Sequence, residues 1–352
     1  MCELSERLGE TEVQLRGLVN LAQTYFPRGE PLRTLEIGER CLKLAERTGN
    51  SALLSSAHLT AAFGAHACGH LDDAASHYRE AILHAQRASG WSFGGALDPW
   101  TVSSTQLACI LQLQGRSAEA VVIAQGGLRH ARDEQSLFSL GLAETVTCWF
   151  HQYRREPEIA RTHADAGVAL AEEHGFPEWM AWGIFHRGWA MAELGEVEKG
   201  VAEMAEGIAA FSPLGGVPRK QFTLAMLAQG YQRLGRHDQA LAIFDQALAH
   251  VERSGEMLDT AEILRLKGEL LLARDGLPDA ERCFRAAIDL ARAQHARWWE
   301  LRATVSLARL LAKQGKRDEA HTMLGDIYNW FTEGFDTADL KDAKALLDEL
   351  SR

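Results

Sequence analysis

The sequence predicts an all-α solenoid: a right-handed superhelix of about eight antiparallel helical hairpins, closed by one further helix at its C-terminal end. Three observations predict it. Small residues recur at fixed offsets with a 40-residue period, a glycine falls between them at a constant place in most units, and no stretch alternates apolar and polar residues as a half-buried strand would. Because each unit of a periodic chain packs on its neighbours, the 352 residues are expected to form a single domain, residues 1–352.

The unit is clearest in PEWMAWGIFHRGWAMAELGEVEKGVAEMAEG, Pro177 to Gly207, where Gly188 lies twelve residues before Gly200, Gly207 seven after it, and Gly195 at the turn. The residues equivalent to Gly200 are Thr34, Ala74, Ala120, Ala160, Ala240, Ala280 and Ala320, spaced by 40 except for one interval of 46. Twelve residues before these markers stand Ala22, Ala62, Ala108, Cys148, Gly188, Ala228, Gly268 and Ala308, all small. Seven after them come Cys41, Ala81, Gly127, Gly167, Gly207, Ala247 and Ala287, then Ile327 as an outlier. At 3.6 residues per turn these offsets put the small residues on one stripe, which lets the paired helices approach closely. The turn holds Gly29, Gly69, Gly115, Gly195, Gly235 and Gly315, with Arg155 and Asp275 as departures. Fifteen residues after their markers, Gly49, Gly175, Gly215 and Gly255 are expected to end the second helix of their units.

Two elements break the period. The long interval contains SGWSFGGALDPW, Ser89 to Trp100, whose Gly-Gly and Asp-Pro pairs predict a protruding loop carrying Trp91, Phe93 and Trp100. Its aromatics are read as a plug packed on the hairpins, ahead of a lid over a groove. The end of the chain, residues 335–352, predicts a capping helix started by Asp336 or Thr337, with Leu340, Ala343, Leu347 and Leu350 inward and Lys341, Asp342, Lys344 and Asp348 in water. Such a cap covers the last pair without reaching the channel.

The spacing of small, turn and small positions resembles the tetratricopeptide repeat, lengthened by about six residues. The stretches WFTEGFDTADLKDAKALLDEL, ELRATVSLARLLAKQGKRDEA, LRLKGELLL and EWMAWGIFHRGWAMAELG further resemble the C-terminal repeat region of large bacterial signalling proteins. Those join a class III adenylate cyclase or LuxR-type DNA-binding domain to a STAND or AAA-type ATPase and then to tetratricopeptide repeats. The resemblance implies a sensor or scaffold and supplies no catalytic residues. No GxxxxGK[ST] loop and no cyclase-like metal-binding carboxylates accompany it.

Composition narrows the function class. A formal charge of -11 and a pI near 5.7 argue against direct nucleic-acid or acidic-membrane binding. The six cysteines include no CxxC and read as small reduced core residues. The absence of a basic-then-apolar leader and of any run of about 18 apolar residues implies a soluble, cytoplasmic chain.

In tetratricopeptide proteins the first helix of each pair lines a concave channel, so the inward positions can be read directly. Units four to six give Trp149, Gln152 and Tyr153; Trp182, Phe185, His186, Trp189 and Glu193; and Phe222, Gln229, Gln232 and Arg233. Units seven and eight give Glu262, Arg265 and Glu269, then Arg302, Arg309 and Lys313. An aromatic shelf beside Arg and Gln suits a peptide, a protein segment or a small effector, the competing reading being that the rings fill a tight superhelix. Glu262 and Glu269, seven residues apart on one helix, are set with Arg265, and with Arg302 and Arg309 at the matching positions one unit later, for an ion-pair ladder rather than acid–base chemistry. His66, Cys68 and His70 offer zinc donors, with His77 and His84 following, but Gly69 puts a bend among them and no second cysteine or acidic ligand is nearby; neither metal nor cofactor is expected. The reading is a non-catalytic binding scaffold; the alternative is a small-molecule enzyme in the channel, using His186, Glu193 and Arg233.

Overall fold

A computed structural model describes residues 11–25, 28–88, 96–134, 136–214 and 216–352. Among these residues there are seventeen α-helices and no strand, forming a superhelical solenoid. The first four pairs are α1 Thr11–Tyr25 with α2 Pro31–Thr48, α3 Ser51–Ala67 with α4 Leu71–Arg87, α5 Pro99–Leu113 with α6 Ser117–Asp133, and α7 Leu137–Tyr153 with α8 Pro157–His174. The next four are α9 Pro177–Glu193 with α10 Val197–Ala210, α11 Lys220–Arg233 with α12 His237–Ser254, α13 Thr260–Leu272 with α14 Leu277–Ala293, and α15 Arg297–Lys313 with α16 Arg317–Trp330. A seventeenth helix, α17, spans Ala338–Leu350. No described helix is long and apolar enough to cross a membrane.

The small residues do what their spacing implies. A Cβ on Gly188 would lie 2.6 Å from the Gly200 carbonyl oxygen, and one on Gly200 only 2.4 Å from that of Gly188, so α9 and α10 touch backbone to backbone. First helices also pack on the first helix of the next unit, which makes the odd-numbered helices a continuous inner layer, and α17 joins that layer against α15.

Helix ends follow local chemistry. Asn50 accepts from the backbone N–H groups of Ala52 and Leu53 to start α3, and Gly49, Gly175 and Gly255 end their helices in the left-handed conformation. Gly215 lies outside the described residues. So do positions 89–95, with Trp91 and Phe93, but Trp100 does not belong to a loop. Pro99 opens α5, and Asp98 accepts from the Thr101 N–H at 2.6 Å, so the Asp-Pro pair starts a helix where it was expected to break one. Trp100 packs against His130 with ring centroids 4.2 Å apart.

The superhelix is tight enough to close on itself. Gly29, at the turn of unit one, abuts His250 and Glu256, just after unit six. Around the turn of unit two, the Ala67 carbonyl accepts from the Met257 N–H at 2.9 Å, and Asp72 lies 2.6 Å from His295, just after unit seven. The turn of unit three meets the segment after unit eight: Gly115 abuts Trp330 and Phe331, and the Ala118 N–H donates to Glu333 at 3.0 Å. Arg155, at the turn of unit four, bonds Asp342 at 2.8 Å and Asp339 at 3.2 Å on α17. Each hairpin turn of the first half thus docks five units ahead. At the turns of units five, six and eight, a Cβ on Gly195, Gly235 or Gly315 would meet nothing within 4 Å among the described residues.

The cap departs from expectation in two ways. Leu340, Ala343, Leu347 and Leu350 are buried as predicted, with Leu346 beside them, but Asp339 is buried and Asp342 holds Arg155. The Thr337 hydroxyl donates to the Gly334 carbonyl rather than capping the helix N–H groups. The helix therefore reaches the channel instead of only covering unit eight, because closure of the superhelix carries unit four onto it.

Candidate functional site

The inner layer encloses two cavities. One, of about 300 Å³, is lined by odd-numbered helices, α7 to α17, and by Arg155 from the turn of unit four. It gathers Tyr153, Trp189, Phe222, Gln229, Arg233, Glu262, Arg265, Glu269, Arg302 and Arg309, together with Gln152, Glu193, Arg155, Trp299, Asp339 and Asp342. Lys313 and Gln232 do not line it.

Most of its charges neutralise one another. Arg265 makes a bidentate pair with Glu262, 2.7 Å on each side, and also bonds Glu269, which accepts from the Ser306 hydroxyl at 2.9 Å. Arg302 bridges units, donating to Glu262 at 3.3 Å, to Asp339 at 2.8 Å and to the Tyr153 carbonyl at 2.5 Å. Burial pushes the Glu262 and Asp339 carboxyls up, but the guanidiniums of Arg265 for the first and Arg302 for the second hold both below the usual range. Asp339 also accepts from the Trp298 indole N–H at 2.7 Å. Arg233 grips Glu193 through bonds of 2.6 and 2.7 Å. This is the expected ion-pair ladder without Arg309, which takes no part in it, and with two residues added from the cap.

Several polar groups of the cavity are left over, the Trp299 indole nitrogen among them. Gln152 is buried, and its amide nitrogen and oxygen are both without a partner. Among the described residues, Gln229 and the exposed Arg309 make no hydrogen bond or ion pair either.

The aromatic shelf is divided. Trp189, Tyr153 and Phe222 border the polar cavity, whereas Trp149 and Trp182 border a second cavity of about 380 Å³ with Phe63, Phe138 and Trp179. Phe185 and His186 border neither and are 0 % exposed. Trp182 packs on Trp149, Phe185, His186 and Phe211 at centroid distances of 4.9 to 5.9 Å. His186 was read as an inward-facing residue of the channel. Neither of its ring nitrogens has a partner, and burial, helped by the charge of Arg219, pushes its pKa well below the ordinary value. Rings of α7 and α9 close around it, with Phe211 of the segment after α10 behind Trp182, so this inward residue becomes core. The enzyme alternative loses its assembly: His186 is sealed in that core, while Glu193 and Arg233 are paired to each other.

A partition that sequence reasoning missed separates the cavities. Arg219 donates to Asp259 at 2.6 Å and to the Tyr153 hydroxyl at 2.5 Å, and that hydroxyl donates to Asp259 at 3.0 Å. The guanidinium lies 4.5 Å from the Trp149 ring centroid and 4.6 Å from that of Phe222. Arg219 sits at the N-cap of α11 with φ of +51°, and its one sequence signal is its place in the GGVPRK linker.

A family model described as the MalT-like TPR region matches residues 150–346. No curated protein matches the chain. Among solved structures, the chain is similar to a Rap protein complexed with competence and sporulation factor, at TM-score 0.61 and 14 % identity, covering 90 % of this chain and 81 % of that one. It is also similar to the Rap conjugation gene regulator of plasmid pLS20 in complex with the Phr* peptide, at TM-score 0.58 and 12 % identity over 96 % of each chain. A third, aspartyl phosphate phosphatase F from Bacillus subtilis, has TM-score 0.51 and 12 % identity, covering 90 % of this chain and 93 % of that one. At these identities the likeness is one of fold.

Proposed function

The chain belongs to the MalT-like TPR region family, and from that premise we propose that it is a non-catalytic sensor scaffold that binds an extended peptide, or an extended segment of a protein, in the polar cavity of units four to eight. The observation that carries the reading is Gln152. Its primary amide offers one acceptor and a donor group, unpartnered and buried at the cavity wall. Leaving them so costs about 1–3 kcal/mol, a cost that a peptide bond, itself one donor and one acceptor, removes on binding. Arg309 at the rim supplies a free guanidinium for a ligand carboxylate, and Trp189 and Phe222 supply apolar wall. Two proteins of similar fold, solved with a peptide or factor bound, lend support. A small effector with amide and carboxylate groups uses the same contacts. Residues 1–352 are read as one domain whose occupancy is relayed to an ATPase, DNA-binding or cyclase partner.

Panning a phage-displayed random peptide library on the full chain tests this. Enriched peptides are expected to weaken at least about tenfold, ~1.4 kcal/mol, with Arg309→Glu and with Gln152→Ala, while Arg309→Glu keeps the parent melting temperature. Failure to enrich any peptide, or peptides indifferent to both substitutions, overturns the reading.

A further inference from the structure

Far from this cavity, on the α3–α4 hairpin, the structure brings together three histidines and a glutamate that the proposed function does not use. We propose that His58, Glu80 and His84 form a binding site for a divalent transition metal of the zinc class, with His77 as its supporting residue. His77, Glu80 and His84 fall at i, i+3 and i+7 of α4, one face of that helix, and His58 projects from α3 toward them. One donor atom from each of His58, Glu80 and His84 lies within 4.8 Å of the others.

The hydrogen bonding favours a metal over a self-contained polar cluster. His58 Nδ1 and His77 Nδ1 lie 3.1 Å apart, so one ring donates to the other. With His58 as donor, its Nε2 is left free to ligate, and His77 becomes the outer partner that fixes the tautomer and ring of a metal-bound histidine. His84 makes no hydrogen bond: its Nδ1 is buried without a partner, and its Nε2 stands 4.0 Å from a Glu80 carboxylate oxygen. That is too long for a hydrogen bond, and an inward shift of about half an ångström by the Glu80 carboxylate brings the two atoms to the roughly 3.3–3.6 Å that separates ligands on a tetrahedral ion with bonds of about 2.0–2.2 Å. Its ring lies parallel to that of His58, centroids 5.7 Å apart, within 11°. Glu80 is half exposed and free to swing inward. Two imidazoles and one carboxylate match zinc in softness and number, with the fourth position left to water. The sequence reading centred on His66, Cys68 and His70, with His77 and His84 following, but His66 Nδ1 is bound to the Tyr78 hydroxyl at 3.1 Å; the residues it lacked were His58, about two turns before His66 on α3, and Glu80, one turn before His84 on α4.

The test is a zinc titration of the full, untagged, chelator-stripped chain against a chromogenic zinc indicator, with Co²⁺ as a spectroscopic substitute. The expected result is one Zn²⁺ per chain, visible d–d absorption with Co²⁺, loss of binding in His58→Gln and His84→Gln, and weakening of about 10–100-fold in His77→Gln. Helical circular dichroism verifies each variant; should His58→Gln not fold, the half-exposed Glu80→Gln decides, with at least about tenfold weakening expected. No stoichiometric binding overturns the proposal. So does affinity unchanged by folded Glu80→Gln, or a site lost with Cys68→Ser and kept without His58.

Discussion

At the scale of single residues, two tryptophans of α9 differ in how they are packed. Both border open volume, Trp182 the second cavity and Trp189 the polar one, but Trp182 is also held by the rings of Trp149, Phe185, His186 and Phe211, so Trp182→Ala is expected to cost about 3–5 kcal/mol, transfer and cavity terms together. Trp189→Ala should cost roughly 1.5–3 kcal/mol, the transfer term alone. Urea denaturation of the two variants beside the parent gives the comparison; equal losses would mean that the ring contacts of Trp182 add nothing. Both rings were legible as inward-facing because position on a helix sets direction. What separates them was not, because it depends on which rings of other helices reach each one. Arg219 and Asp259 were invisible for another reason: they stand in linkers, where the period gives no offset, and their 40-residue separation shows as a contact only once the units are stacked.

At the scale of elements, small residues and turn glycines carried nearly the whole register, and eight hairpins with a final helix follow from them. The places where the reading failed are those where one residue pair has two local meanings. Asp-Pro ends a helix or, with the aspartate as cap and the proline at the first helical position, starts one, and Asp98-Pro99 does the latter. The cap failed differently. Asp342 read as a solvated charge and Asp339 drew no notice, because their partners Arg155 and Arg302 lie 184 to 187 and 37 residues away. Deleting residues 335–352 is therefore expected to do more than bare the apolar side of unit eight: it leaves Arg302 short of its carboxylate inside the cavity. Asp339→Ala alone should cost about 3–5 kcal/mol, as for a broken buried ion pair, and should open the polar cavity. Thermal melting of the truncated chain and of the point variant checks this; an unchanged melting temperature in both would make α17 a mere tail.

At the scale of the whole molecule, the inner layer was readable and its closure was not, since closure depends on superhelical pitch and pitch is the sum of many small packing angles. Gly115 and Gly315 isolate its contribution. Both have positive φ, +86° and +80°, so valine strains the backbone similarly at each, but only Gly115 faces Trp330 and Phe331 across the superhelical turn. Gly115→Val should therefore lose about 1–3 kcal/mol more than Gly315→Val and show a larger radius of gyration by small-angle X-ray scattering. Equal behaviour would mean that the docked turns contribute nothing. The docking of each early turn five units ahead has one more consequence. Arrays held only by nearest neighbours can gain or lose a repeat by unequal recombination and remain intact. Here, excising the 40 residues of unit five, which all four contacts span, would leave every early turn opposite the wrong linker, so the number of units between partners is a constant of this molecule and not a length that genetic drift can trim.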